Sequence, residues 1–170
     1  AMEKLVSDIR TIAQSVGAST DNVVEKVAGK IAEGEDEKRR AEGYEKELAK
    51  IETDSLVNRV EVINGVNVLS AHVSSRHTDI LRDMSDMLRD KLGSSVIVLG
   101  TVYDDKPAFV AAVTPDLVTK GFDAGKIVRE VAKITGGGGG GKPTLAQGSG
   151  RDKSQIDAAL NIVAKLVSRQ

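Results

Sequence analysis

The sequence contains no cysteine and no tryptophan, and only two tyrosines and two phenylalanines among its 170 residues. Without cysteine the chain has no disulfides, no thiolate zinc site and no cysteine nucleophile. With so few aromatic side chains, the hydrophobic core must be aliphatic, and a hydrophobic content of 40% allows one. No apolar run approaches the roughly 20 residues that span a bilayer, and no signal peptide opens the chain. We therefore expect a soluble, cytoplasmic protein without a membrane partner.

The length of the chain fits one domain, or a small domain with an appendage. Ala1 precedes Met2, which is typical of a residue left by tag removal, so we expect an excised piece of a longer protein. The net charge of −1 hides an asymmetry: residues 1–55 hold 9 basic and 13 acidic side chains, whereas residues 120–170 hold 9 and 4. This positive excess is a modest electrostatic signal for a polyanion partner, and an ordinary charged surface accounts for it equally well.

Residues 1–55 predict a helical arm. Two helices carry apolar residues at helical spacing, the first ending at Gly17 and the second beginning near Ser19. The helix then continues with almost only charged residues beside one apolar repeat of 3-4-3 spacing, which is typical of a coiled-coil seam. The seam consists of Ala41, Tyr44, Leu48 and Ile51. It predicts self-association through the arm, and a solvated spacer helix is an equally good interpretation.

The composition changes at about Ser55, which we interpret as the boundary between the arm and a compact domain of residues 56–170. Alternating or continuous apolar runs predict strands over residues 57–63, 66–74, 96–102 and 108–113. Asn64-Gly65 is a favoured hairpin turn. Helices are expected from Thr78 to Gly93, after Asp123, and after Ser154. The predicted fold class is α+β, with a helical, coiled-coil-like arm followed by a small sheet of two hairpins packed with about three helices.

A glycine-rich stretch lies between the last two predicted helices, over residues 134–153. Glycine loses more backbone freedom on folding than any other residue, so a long run suits a place where an anion or another backbone approaches bare N–H groups. Nearby cations can contact phosphates, and one glutamine can read a base edge or a 2′-hydroxyl. The candidate nucleic-acid-binding residues are Gly136, Gly137, Gly138, Gly139, Gly140, Gly141, Lys142, Gln147, Arg151 and Lys153. The alternative is close packing, in which the glycines let a loop lie flat on the sheet and Gln147 bonds to backbone.

Two enzymatic interpretations fail on the residues. The run nearly matches a nucleotide phosphate loop, but Pro143 stands where that motif needs Ser or Thr, and a helix is predicted where it needs a strand. His72 and His77 are the possible catalytic or metal-binding histidines, together with Asp79 and Asp83, but no second group of metal ligands follows them. Residues 74–77 lead into a helix N-terminus and suit either a phosphate contact or a capping role.

The glycine-rich motif with its flanks, GGGGGGKPTLAQGSG over residues 136–150, resembles the signature of the C-terminal module of alanyl-tRNA synthetases. This module is the DHH-associated domain that is shared with DHH-type phosphoesterases. The preceding segment over residues 94–137, the polar helix of the arm and the final helix are similar to it in order and spacing. Where the family often has a non-glycine within the run and an arginine after it, this chain has glycine and Lys142. A lysine lacks the fork that arginine offers to a phosphate.

The resemblance implies a module that binds the outer corner of the tRNA specific for alanine and helps one tRNA reach both the aminoacylation and the editing site. It implies no catalysis, cofactor or metal within this chain, whereas the full-length enzyme is implied to use ATP and zinc. The helical part of the family module is associated with oligomerisation, so the alternative function is an oligomerisation domain. A phosphoesterase or a free-standing editing enzyme is disfavoured, because the chain lacks the metal-ligand motifs of those enzymes.

Overall fold

The structure is a computed structural model that describes residues 1–75 and 77–170, and it divides into two compact units, residues 1–45 and 46–170. Helix α1 (Met2–Ser15) lies in the first unit, and helix α2 (Val23–Leu56) continues from the first unit into the second. The predicted boundary at Ser55 falls in the last turn of α2 and stays a prediction. Among the described residues, no helix combines the length and the apolar character that crossing a membrane requires.

The second unit contains one six-stranded sheet. Its strands are β1 (Glu61–Ile63), β2 (Val66–His72), β3 (Ser95–Tyr103), β4 (Lys106–Val113), β5 (Gly138–Gly141) and β6 (Leu145–Ser149). The strand order is β1-β2-β3-β4-β6-β5, and only the β2–β3 pair is parallel. The sheet is therefore mixed, and β1 and β5 are its edges.

Two tight turns set the register of the sheet. Asn64 and Gly65 join β1 to β2, and Asp104 and Asp105 join β3 to β4. All four residues have positive φ angles, between 50° and 79°, as a two-residue turn that follows the twist of the sheet requires. The turn predicted at Asn64-Gly65 is thus confirmed.

Helices cover both faces of the sheet. After β2 come α3 (Thr78–Leu92), α4 (Pro115–Thr119), α5 (Ala124–Ile134) and α6 (Ile156–Ser168). One hydrophobic cluster joins α4, α5 and α6 to Val96, Val98 and Phe109, and a second joins α3 and the end of α2 to Ile97, Leu99 and Val110. Alternate residues of β3 and β4 therefore point into different cores, which explains why these strands are apolar throughout.

The predicted α+β class is confirmed, and the predicted sheet of two hairpins is wrong in its number of strands. The missing pair is β5 and β6, which form from the glycine-rich stretch that was expected to be a loop between two helices. Four consecutive glycines carry no side-chain pattern, so alternation could not indicate a strand there. The helix predicted before the glycine run is confirmed: the Asp123 carboxylate caps α5 by accepting a hydrogen bond from the Lys126 N–H at 3.1 Å.

Candidate nucleic-acid interface

The glycine-rich stretch folds into an antiparallel hairpin at one edge of the sheet. Gly138 pairs with Ser149, and Gly140 pairs with Gln147. The turn of the hairpin closes through two hydrogen bonds between the backbones of Lys142 and Leu145, at 2.9 and 3.2 Å. The Pro143 carbonyl within this turn accepts a hydrogen bond from the Ala124 N–H at the start of α5. The hairpin is therefore anchored to the helix beneath it and is no flexible linker.

The glycine run is not the continuous row of bare N–H groups that the sequence suggested. The N–H groups of Gly136 and Gly137 donate to the carbonyls of Lys133 and Ala132 and so complete the end of α5. In an antiparallel pair, alternate N–H groups point toward the partner strand. The Lys142 N–H is one of these, because it donates to the Leu145 carbonyl. This alternation leaves the N–H groups of Gly139 and Gly141 at the open edge of the sheet.

Close backbone contacts explain why several of these positions are glycine. A Cβ atom added at Gly137 would lie 1.8 Å from the Ser149 carbonyl oxygen, and one at Gly139 would lie 2.5 Å from that of Gln147. At Gly150 it would lie 1.8 Å from the Thr135 hydroxyl oxygen. These contacts favour the close-packing interpretation of the run. They do not extend to the Gln147 side chain, which forms no hydrogen bond with the described part of the chain.

The candidate cations lie at opposite ends of the hairpin. Lys142 is exposed in the turn before β6, whereas Arg151 is exposed after β6 and two residues beyond its last position. Strand β6 spans four residue steps from Leu145 to Ser149, about 13 Å at about 3.3 Å per residue, and Arg151 follows two residues after it. The candidate residues therefore line one edge of the sheet instead of converging on one point.

Lys153 and Arg151 differ in their electrostatic partners. The Lys153 ammonium forms an ion pair with the Asp105 carboxylate in the β3–β4 turn, and both side chains are more than half exposed. Arg151 forms no ion pair within the residues that the structure describes, and its backbone N–H is fixed by a 2.8 Å hydrogen bond to the Thr135 carbonyl. Arg151 is thus the cation at this end whose charge is available to a phosphate.

The structure adds residues that the sequence did not indicate. A cleft of about 470 Å³ beside the hairpin is lined by Tyr103, Lys106 and Gln147 among others. Tyr103 and Lys106 are directly paired on either side of the Asp104-Asp105 turn. This turn was the sequence signal that could have indicated that the two residues lie side by side. Arg129 on α5 places its guanidinium near Gly140, about 3.6 Å from the position of an added Cβ. Its position on the exposed side of α5 gave no indication of this contact.

The two histidines do not converge. The His72 Nδ1 atom lies 3.5 Å from a carboxylate oxygen of Asp157 at the start of α6. His77 precedes α3 and contacts the Tyr103 ring, with ring centroids 5.7 Å apart. Within residues 1–75 and 77–170, no three His, Asp or Glu side chains form a group that could hold a metal ion. The phosphate contact considered for residues 74–77 includes Arg76, which lies outside the described residues, and it stays a prediction.

Comparison with known proteins decides the family. The model of the DHHA1 domain matches residues 65–169. The chain belongs to the DHHA1 domain family. The matched part of this DHHA1 domain includes every strand from β2 onward and the whole glycine-rich hairpin. The resemblance that the glycine signature indicated is confirmed.

Curated relatives of this DHHA1 domain include alanine–tRNA ligases. The ligase of Dehalococcoides mccartyi (strain CBDB1) is 45% identical over 151 residues, which are 86% of this chain and 17% of the relative. That of Alkaliphilus oremlandii (strain OhILAs) is 38% identical over 169 residues, which are 99% of this chain and 19% of the relative. The chain therefore spans less than a fifth of the curated relatives it matches, and it corresponds to their C-terminal DHHA1 region.

Two solved structures share the fold. The C-Ala domain from Aquifex aeolicus alanyl-tRNA synthetase is 28% identical, with a TM-score of 0.59, and the match covers 64% of this chain and 97% of that domain. RecJ from Thermus thermophilus, solved in complex with Mg²⁺, is 14% identical with a TM-score of 0.55, over 95% of this chain and 28% of RecJ. The second likeness shows the fold alone.

Proposed function

We propose that this DHHA1 domain binds the outer corner of the tRNA specific for alanine. The observation that carries the proposal is the β5–β6 hairpin, which offers unpaired backbone N–H groups between exposed cations at its two ends. Lys142 and Arg151 supply the positive charges, and Gly139 and Gly141 supply the open amides. Contacts of this kind position a nucleic-acid backbone and are indifferent to its sequence.

The geometry suits a folded RNA better than a flexible single strand. Proteins that bind single strands stack successive bases on several aromatic side chains. In the second unit, Phe109 and Phe122 are buried in the core, which leaves Tyr103 as its exposed aromatic residue. A surface whose strand is about 13 Å long, made of backbone and two cations, can follow the phosphates of a folded corner by shape.

The role of the domain within the longer protein follows from the family. We propose that it holds one tRNA while the tRNA reaches the aminoacylation site and then the editing site of the ligase. The domains that carry these two sites, with their ATP and zinc, lie outside this chain. The chain itself therefore has no catalytic role in the proposal.

A titration of the chain with tRNA at increasing salt tests the proposed function. We expect the logarithm of the binding constant to fall linearly with the logarithm of the salt concentration, because each phosphate contact releases counterions. We also expect tRNA specific for alanine and other tRNAs to bind with similar affinity, since a corner is common to all of them. Binding that is absent at low salt, or that is unchanged by salt, would contradict the proposal.

Self-association through α2 is the second candidate function, favoured by the exposure of the predicted seam. Tyr44, Leu48 and Ile51 are each more than 60% exposed, and Ala41 is exposed as well. Large apolar side chains at coiled-coil spacing are stabilised when a second helix covers them. We expect the chain to sediment as a dimer and the Leu48→Glu, Ile51→Glu double variant to sediment as a monomer. A parent chain that stays monomeric at high concentration would exclude this function for residues 1–170.

A further inference from the structure

A cleft opens beside β6 on the face of the sheet that α3 covers only in part. Helix α3 packs on β3 and β4, and the cleft follows next to it, between Thr78 at the start of α3 and the β5–β6 hairpin. Ala108 and Ser149, which are paired across β4 and β6, lie in its lining together with the backbone of Gly138 and Gly148. Small residues thus make a flat lining, and the larger side chains stand at its sides.

Tyr103 presents an aromatic ring to this cleft. The residue is 52% exposed although it belongs to a central strand, and it lies directly before the tight Asp104-Asp105 turn, which fixes its backbone. Its ring packs against the His77 ring at 5.7 Å with an angle of 47° between the planes. The ring of this exposed tyrosine is therefore held in place at the cleft.

Hydrogen bonds hold residues 73–75, which follow β2. The Val73 N–H donates to the Gly100 carbonyl at 2.8 Å, and the Ser74 hydroxyl donates to the Glu52 carboxylate at 2.8 Å. The Thr101 hydroxyl donates to the Ser75 carbonyl. The contact with His77 restricts the Tyr103 ring, and such restriction before binding lowers the entropic cost of binding a flat ligand.

The charges at the cleft disfavour an isolated phosphate. Lys106 and Asp104 both line it, so one positive and one negative side chain offset each other. Gln147 contributes an amide that forms no hydrogen bond with the described residues, and Ser149 contributes a hydroxyl. A ligand that is flat, uncharged and able to both donate and accept hydrogen bonds along one edge fits this lining, and a nucleobase has these properties.

We propose that the cleft takes one nucleobase of the bound RNA, stacked on Tyr103 and contacted along its edge by Gln147. The inference rests on the proposed tRNA binding and adds to it a site that the backbone contacts of the hairpin do not require. Free nucleotides carry the same bases, so tRNA and a mononucleotide such as AMP are both used as probes.

Fluorine NMR and substitution at Tyr103 test the inference together. In a Tyr44→Phe chain labelled with 3-fluorotyrosine, Tyr103 is the single fluorinated residue. We expect its signal to shift when tRNA is added. We also expect Tyr103→Ala and Tyr103→Leu to weaken tRNA binding by about 5- to 150-fold, the range of losing one base–aromatic stack. Tyr103→Phe, which keeps the ring, should retain the parent affinity.

The outcomes separate this inference from the function on which it rests. If the parent binds tRNA, and the fluorine signal and the affinity of the Tyr103→Leu variant stay unchanged, the base site is wrong and tRNA binding stands. If tRNA does not bind but AMP shifts the signal, the cleft is a site for free nucleotides and the RNA-bound base is wrong. If tRNA does not bind and AMP does not shift the signal, both proposals are overturned. Circular dichroism of each variant verifies that it is folded.

Discussion

Gly150→Ala and Gly137→Ala are each expected to destabilise the second unit by about 3 kcal/mol, at the upper end of what overpacking costs. The new methyl group would lie 1.8 Å from the Thr135 hydroxyl oxygen in one variant and 1.8 Å from the Ser149 carbonyl oxygen in the other. Neither neighbour is the flexible end of a long side chain. The loss is measured as the change in free energy of unfolding in urea, followed by circular dichroism.

Gly138→Ala is the matched control for these variants. Its added Cβ meets no atom within 4 Å, and its φ angle is not in the left-handed region. We expect its stability to stay within about 0.5 kcal/mol of the parent, as at an unconstrained surface position. Equal destabilisation of all three variants would show that the run is sensitive to any side chain, and equal tolerance would show that the close contacts are absent.

The Lys142→Ala, Arg151→Ala double variant is expected to bind tRNA about 100-fold more weakly than the parent. Each cation is exposed and without an ion pair among the described residues, and a charge-assisted hydrogen bond contributes about 1.5 kcal/mol. Two such losses correspond to about two factors of ten in affinity. We also expect the slope of binding against salt to fall by about 2, one for each phosphate contact removed.

Lys165→Ala is the control for loss of charge. Lys165 is a lysine on the outer side of α6, and this helix packs on β1, β2 and β3, toward the other edge of the sheet from the hairpin. Removing it changes the net charge by the same unit as either single substitution. If Lys165→Ala loses as much affinity for tRNA as Lys142→Ala, net charge determines binding. The hairpin would then not be the tRNA-binding site.

Segments with a clear pattern of apolar side chains predicted their secondary structure correctly. Positions 96–113 showed continuous apolar runs around a turn, and they form the central hairpin of β3 and β4. Asp123 before an apolar helical repeat predicted the cap of α5, and its hydrogen bond to Lys126 confirms it. Each of these signals comes from contacts within a few residues, which a sequence displays directly.

The glycine hairpin could not be predicted in the same way. A strand of Gly138–Gly141 has no side chains to alternate, and its existence depends on pairing with β6 and on the close approach of Thr135 to Gly150. Such contacts are tertiary and override local propensity. The candidate site residues lie in one segment of the sequence and stay a prediction, and their spread along the edge of the sheet is a consequence of β6 being extended.

Tyr103 illustrates what a motif search leaves out. In the sequence, Tyr103 simply follows an apolar run. Only the fold shows that it lines a cleft together with β6 and the start of α3. Lys153 illustrates the opposite case, since a cation that looked available is paired with Asp105 across a distance of 48 residues in sequence. Charge and aromaticity in a sequence indicate candidates, and the topology decides which of them share a surface.

The central claim is that tRNA binds along the β5–β6 hairpin, and the amide signals of glycine in a ¹⁵N-glycine-labelled chain test it most directly. During a titration with tRNA, we expect the largest shifts at Gly139 and Gly141, whose N–H groups face the open edge of the sheet. Gly29 and Gly34 of α2 should stay unchanged, because they lie on the arm away from the glycine run in sequence. Binding of tRNA that shifts the arm glycines and leaves the hairpin signals in place would contradict the account.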